Sequence, residues 1–308
     1  MDFLNNLLLM LELMLIGFIV GRLKLFKQED TGAIANIIYY ISTPALIFYN
    51  LTTSFRKEQL LEGMSLPLIA AGLTFVFFIC AWLLRKVIAI PESKSDVFDI
   101  ASSFSNTIFL GLPVIISLFG AQATFFVVLY DLGATLLFWT LGMMRFTGLK
   151  QFSWKNVVLS VLNFPIICFM IGLAIVFFSV PVPAFLARIT KDLGALTTPL
   201  AMIFVGLTLA GSSIKDYLSD AGLFHISWLK LILMPLVAIG LTYFLPLSPL
   251  AHKVIVIEAA MPVMITTAIM ARKLNRDYSF ASRAVAVTTL LFFITVPLFT
   301  ILLHVLFG

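Results

Sequence analysis

The chain holds ten stretches of about 20 mainly apolar residues, joined only by short polar links. They run at about 3–21, 33–51, 64–84, 97–119, 122–144, 157–179, 193–214, 223–245, 250–271 and 284–307. In lipid every backbone N–H and C=O must find a partner inside the protein, so such stretches become helices or strands of a closed barrel. Period-2 alternation is missing and the runs exceed the length of a barrel strand, which leaves helices. Charged residues make up only 11% of the 308, against about 25% in a soluble domain. The expected fold class is therefore an all-α polytopic membrane protein with no separate soluble domain. Asp2 is the only early charge and no basic segment precedes the first apolar run. That run reads as a membrane helix rather than a cleaved signal peptide.

The surplus of five positive charges reports loop topology before it reports any partner, and no nucleic acid is expected. Arg22, Lys24, Lys27, Arg85, Lys86, Lys94, Arg145, Lys150, Lys155, Lys215, Arg272, Lys273, Arg276 and Arg283 follow odd-numbered spans. Arg56, Lys57, Arg188, Lys191 and Lys253 fall on the other side, and Lys230 lies in or near span 8. The positive-inside rule places the larger group in the cytosol and, with an even number of spans, both termini outside it. The expected location is a cell membrane (inner or plasma).

The two halves of the chain can be laid over each other. Ile41-Ser42-Thr43-Pro44 matches Leu196-Thr197-Thr198-Pro199 at an offset of 155 residues, and Gly111-Leu112-Pro113 matches Ala260-Met261-Pro262 at an offset of 149. Five spans per half is odd, so the second half is inverted relative to the first. Inverted repeats with interrupted helices in matching positions point to a secondary transporter's binding site. Proline is also common in membrane helices generally, and the repeat rests on two pairs recurring in order.

Pro113 lacks the N–H that the Phe109 carbonyl would accept, and Gly111 weakens the same turn. Breaks at Pro113 and Pro262, related by the repeat, are expected to cross at mid-membrane depth. Each freed helix N-terminus favours an anion. Asn106 stands two turns before Pro113 with Ser105 and Thr107 beside it, and Thr266 and Thr267 follow Pro262 by about one turn. Asn106 offers both a donor and an acceptor, which suits a carboxylate with a neighbouring hydroxyl. A helix–helix hydrogen bond accounts for Asn106 equally well.

Three carboxylates stand out inside spans: Glu12, Asp131 and Glu258. A charge at the bilayer centre costs about 2.5–3.5 kcal/mol on insertion scales. Burial disfavours the charged form, which suits a group that takes up and gives back a proton. Each acid could instead be a structural partner of Lys230 or of a helix break. His225, His252 and His304 are scattered near span ends, and Cys80 and Cys168 have no ligand-like neighbours. Neither a metal site nor a disulfide is expected. Without a Walker motif, a Gly-x-Gly-x-x-Gly after a strand, or a Gly-x-Ser-x-Gly, no cofactor, ATP-driven pump or enzyme is expected.

Several runs together resemble the auxin efflux carrier family. They are Ser105-Asn106-Thr107-Ile108-Phe109-Leu110-Gly111-Leu112-Pro113, Leu129-Tyr130-Asp131-Leu132-Gly133, Phe138-Trp139-Thr140-Leu141-Gly142, Gly206-Leu207-Thr208-Leu209-Ala210, Leu229-Lys230-Leu231-Ile232-Leu233-Met234-Pro235 and Glu258-Ala259-Ala260-Met261-Pro262. The resemblance covers nearly the whole chain in order. It implies two inverted five-helix repeats of the bile-acid-transporter and sodium–proton-antiporter kind. Residues 1–60 and 148–215 would form a scaffold, often dimeric, and 61–147 and 216–308 a mobile transport domain. Substrate would be a small organic anion, such as malate or malonate, held at the crossing of spans 4 and 9. The expected substrate-binding residues are Ser105, Asn106, Thr107, Gly111, Pro113, Pro262 and Thr266, with Asp131, Glu258 or Glu12 coupling a proton. A sodium-coupled organic-anion carrier and a non-transporting anion sensor are the alternatives.

Overall fold

The computed structural model describes residues 2–26, 30–55, 63–88, 90–148, 153–210 and 220–307. Of the basic residues used above for orientation, Lys27, Arg56, Lys57, Lys150 and Lys215 lie outside this set. Helix is the only extended regular structure among the described residues. In chain order the helices are α1 (Asp2–Arg22), α2 (Thr31–Ser54), α3 (Leu66–Val87), α4 (Glu92–Ser103), α5 (Thr107–Phe119), α6 (Ala121–Thr147), α7 (Trp154–Val161), α8 (Phe164–Phe177), α9 (Ala184–Ala210), α10 (Ala221–Thr242), α11 (Pro249–Ala259), α12 (Ile265–Lys273) and α13 (Tyr278–Phe307). Six of them (α2, α3, α6, α9, α10 and α13) are long and apolar enough to cross a membrane, and α5 and α8 are shorter apolar helices. The chain is thus a polytopic membrane protein.

Prolines shape these helices in two ways. Pro44, Pro113 and Pro235 each stand two residues beyond a wide π turn, at Ile38–Ser42, Thr107–Gly111 and Leu229–Leu233. Proline cannot donate to the carbonyl four residues back, and its ring clashes with it. A turn with i→i+5 hydrogen bonding moves that carbonyl aside, and the helix continues. The expected break at Gly111 and Pro113 is therefore absent: both lie within helix, and Pro113 sits in the first turn of the α-helical part of α5. The break comes earlier, at Phe104–Asn106. The expected sixth span is also divided, with Asn163 capping α8 by accepting from the Ile166 N–H at 3.0 Å ahead of Pro165.

Packing divides the chain into two compact units. The first comprises Met1–Met64, Ile108–Val128 and Leu162–Gly211. Without a hydrophobic drive between helices in lipid, close backbone approach over small residues takes its place. A Cβ built at Gly17 would lie 2.2 Å from the Ile203 carbonyl oxygen, and one at Gly206 2.0 Å from that of Met14, so α1 and α9 touch main chain to main chain. Asn50 Nδ2 donates to Thr124 Oγ1 at 2.9 Å in the same unit, and Phe125 stacks on Phe169. Gly111, Pro113 and Glu12 belong here, and Glu12 is exposed.

The second unit comprises Ser65–Thr107, Leu129–Val161 and Ser212–Gly308. Asp99 of α4, its side chain wholly buried, takes Arg85 Nε at 2.9 Å and Arg145 Nε at 2.8 Å. Arg145 also donates to Ser95 Oγ at 2.9 Å. Asp96 pairs with Arg276 at 3.2 Å, and Asp220 with Lys94 at 2.7 Å. Basic residues that the sequence assigns to one side of the membrane are thus neutralised within one unit. Asp99 lies inside the expected fourth span, and a reading restricted to three intramembrane acids omits it.

Candidate functional site

Two helices of the second unit, α4 and α11, stop short, and the chain is non-helical for a few residues after each. α4 ends at Ser103, and Phe104 turns the chain to φ −105°, ψ 129°. α11 ends at Ala259, and the chain re-enters helix at Ile265 after Met264 at φ −60°, ψ 126°. The gaps run antiparallel, with Ser105 opposite Val263. The Asn106 N–H donates to the Pro262 carbonyl at 2.9 Å, and the Met264 N–H donates to the Phe104 carbonyl at 3.1 Å. The Val263 N–H donates to Thr288 Oγ1 of α13 at 3.1 Å. Main-chain groups released by the two breaks thus satisfy one another, as burial away from water demands.

Polar side chains gather round this bridge. Asn106 is 3% exposed and sits in the crossing itself, rather than two turns from a break at Pro113. Ser105 and Thr107 on either side are buried. Lys230, in the wide turn of α10, is 0% exposed, and its Nζ donates to Ser105 Oγ at 2.7 Å and to the Ala259 carbonyl at 3.3 Å. The same ammonium lies 5.6 Å from the Phe77 ring centroid, within cation–π range. Asp131 of α6 is buried and accepts from Thr107 Oγ1. Glu258, in the last turn of α11, is fully buried, and neither carboxylate oxygen has a hydrogen-bond partner among the described residues. Thr266 and Thr267 open α12, the first half-buried and the second buried with its hydroxyl unpartnered among the described residues.

Of the residues singled out from the sequence, the second unit brings together Ser105, Asn106, Thr107, Asp131, Glu258, Pro262 and Thr266. Gly111, Pro113 and Glu12 belong to the first unit. Lys230 and Thr288 complete the crossing and were not among the expected binding residues. A lysine inside an apolar span was the available signal for the first. Nothing local marks the second.

Two interrupted helices, bridged main chain to main chain and ringed by buried polar groups, in a chain with six helices long and apolar enough to cross a membrane, fit a class of protein: a multi-pass membrane transporter. Comparison with known proteins gives its family. A family model described as "Membrane transport protein" matches residues 2–153 and 149–300. The chain belongs to that family, the auxin efflux carriers. It is 27% identical over 304 residues to an uncharacterized transporter of Methanothermobacter thermautotrophicus, covering 97% of this chain and 98% of the relative. An uncharacterized transporter of Methanocaldococcus jannaschii is 26% identical over 92% of both chains. The uncharacterized transporter YfdV of Escherichia coli is 22% identical over 96% of both.

Proposed function

We propose that this transporter is a secondary carrier of small organic anions, mono- or dicarboxylates of the size of malate or malonate. Substrate would bind at the crossing of Phe104–Asn106 with Pro262–Met264. One observation carries the reading: buried Asn106 lies in a main-chain bridge where α5 and α12 begin and where the Lys230 ammonium is held at Ser105. Helix N-termini carry partial positive charge and free N–H groups. With an ammonium and an amide beside them, they suit a carboxylate better than a cation or an uncharged solute. Asp131 or Glu258 would couple transport to protons. The reading includes two inverted five-helix repeats, in keeping with two proline pairs that recur in order at offsets of 155 and 149 residues. Residues 1–60 and 148–215 would serve as a scaffold and dimer contact in an inner or plasma membrane, with both termini outside the cytosol. Residues 61–147 and 216–308 would carry the substrate by an elevator-like or rocking motion.

Asn106→Ala tests the binding site. Loss of a hydrogen bond to a charged group costs about 1.5–3 kcal/mol, so carboxylate binding to purified protein weakens by roughly tenfold or more. Uptake into proteoliposomes falls with it, while the yield of folded protein stays unchanged. Unaltered binding and uptake would remove Asn106 from the site. Glu258→Gln tests coupling. Uptake driven by an imposed proton gradient is lost, while counterflow of labelled substrate against unlabelled persists. A Glu258→Gln carrier that still follows the gradient would clear Glu258 of that role. Counterflow by the unaltered protein also separates a carrier from a sensor that binds without moving its ligand.

A further inference from the structure

The acids near the crossing raise the question of what balances their charge. Lys230 has three N–H donors and no acceptor, and it is wholly buried. The polar atoms it meets are oxygens, the Ser105 hydroxyl at 2.7 Å and the Ala259 carbonyl at 3.3 Å. The residue before Ala259 is Glu258, whose two oxygens are unpartnered among the described residues. Asp131, the other buried acid there, is engaged by Thr107. A hydroxyl, a main-chain carbonyl and a nearby carboxylate form the kind of oxygen set that replaces the hydration shell of a hard cation.

We propose that the Lys230 ammonium is a tethered cation filling an oxygen-lined site at the crossing, so that no alkali-metal ion binds there in the native carrier and a small monovalent cation binds once the lysine side chain is removed. A group tethered to α10 cannot leave the site during a transport cycle as a free ion does. Phe77 closes the ammonium off on another side with an aromatic face, which tolerates a cation but cannot replace an oxygen ligand. The inference narrows the proposed function by excluding sodium as a co-substrate at this crossing. Its readout is stability rather than flux, so it can fail while the carboxylate reading stands, and the reverse.

The test is thermal unfolding of purified full-length protein in choline chloride against sodium, potassium or ammonium chloride at equal ionic strength. The unaltered protein should show the same midpoint in all four salts. Lys230→Ala should melt lower in choline and recover saturably with one or more of the small cations, by on the order of 5 °C at a hundredfold excess over the Kd. Lys230→Met, which refills the space with apolar atoms, should not respond. Lys230→Gln keeps a donor for Ser105 without the charge and takes the place of the alanine variant if that cannot be recovered folded in choline. Recovery of either variant only in the presence of a small cation supports the inference. A matching cation response in the unaltered protein or in Lys230→Met overturns it. So does the lack of any cation-specific response in both Lys230→Ala and Lys230→Gln, including failure of both to fold in every salt.

Discussion

Replacing Asp99 with Asn lowers the stability of the protein by about 3 kcal/mol, read as a fall in its thermal midpoint in detergent. Breaking a buried ion pair by removing one partner costs about 3–5 kcal/mol, because the charge left behind has no substitute for water. Here one carboxylate with no exposed side-chain area holds two guanidiniums, Arg85 at 2.9 Å and Arg145 at 2.8 Å. Those side chains are 14% and 26% exposed; solvent screening of both therefore puts the expected loss at the lower bound. The loss should extend to Arg145, which also reaches Ser95, so that Asp99→Asn and Arg145→Gln together cost less than the sum of the two singles. Glu92→Gln is the control: Glu92 is 87% exposed and 3.8 Å from Arg85, and its loss changes stability by less than about 1 kcal/mol. Equal effects from Asp99→Asn and Glu92→Gln would mean that the clamp contributes nothing.

Gly206→Leu prevents α1 and α9 from packing, and the variant runs as aggregate on size-exclusion chromatography. Even the Cβ of Gly206→Ala would meet the Met14 carbonyl oxygen at 2.0 Å and the Phe18 nitrogen at 2.7 Å. Both are main-chain atoms of a helix and cannot rotate away as a side chain does. Overpacking a filled site costs about 1–3 kcal/mol and at times more; the alanine variant falls in that range and the leucine variant beyond it. Gly17→Ala makes the mirror-image test, against the Ile203 carbonyl at 2.2 Å. Gly72→Ala has no atom within 4 Å of its new methyl group and should be neutral or slightly stabilising, since alanine is the better helix former. A Gly206→Ala protein as stable as the Gly72→Ala one would show that the two helices do not approach so closely.

The apolar runs and the interruption at Pro262 were legible in the sequence because both are local. Twenty apolar residues demand a helix in lipid, and Pro262 follows directly on the α11 carbonyls it fails to serve. Pro113 misled because a proline removes only a single hydrogen bond, and the wide turn at Thr107–Gly111 absorbs that loss. The true interruption has no proline. Its mark is the run Ser102-Ser103-Phe104-Ser105-Asn106-Thr107, whose hydroxyl and amide side chains compete with the helix for backbone groups. Asn163 ahead of Pro165 was a readable N-cap signal for the division of the sixth span. The partners of the buried charges were beyond local reading: Lys230 meets Ser105 across 125 residues of chain and Arg145 meets Asp99 across 46. Such pairs are set by tertiary packing, and nothing in either neighbourhood names the other.

The bond from Asn106 to Pro262 and the bond from Met264 to Phe104 are both made by peptide groups. A carbonyl is supplied by every amino acid and an N–H by all but proline. The frame of the crossing is therefore nearly indifferent to which side chains decorate it. Related proteins can exchange that decoration without rebuilding the main-chain frame beneath it.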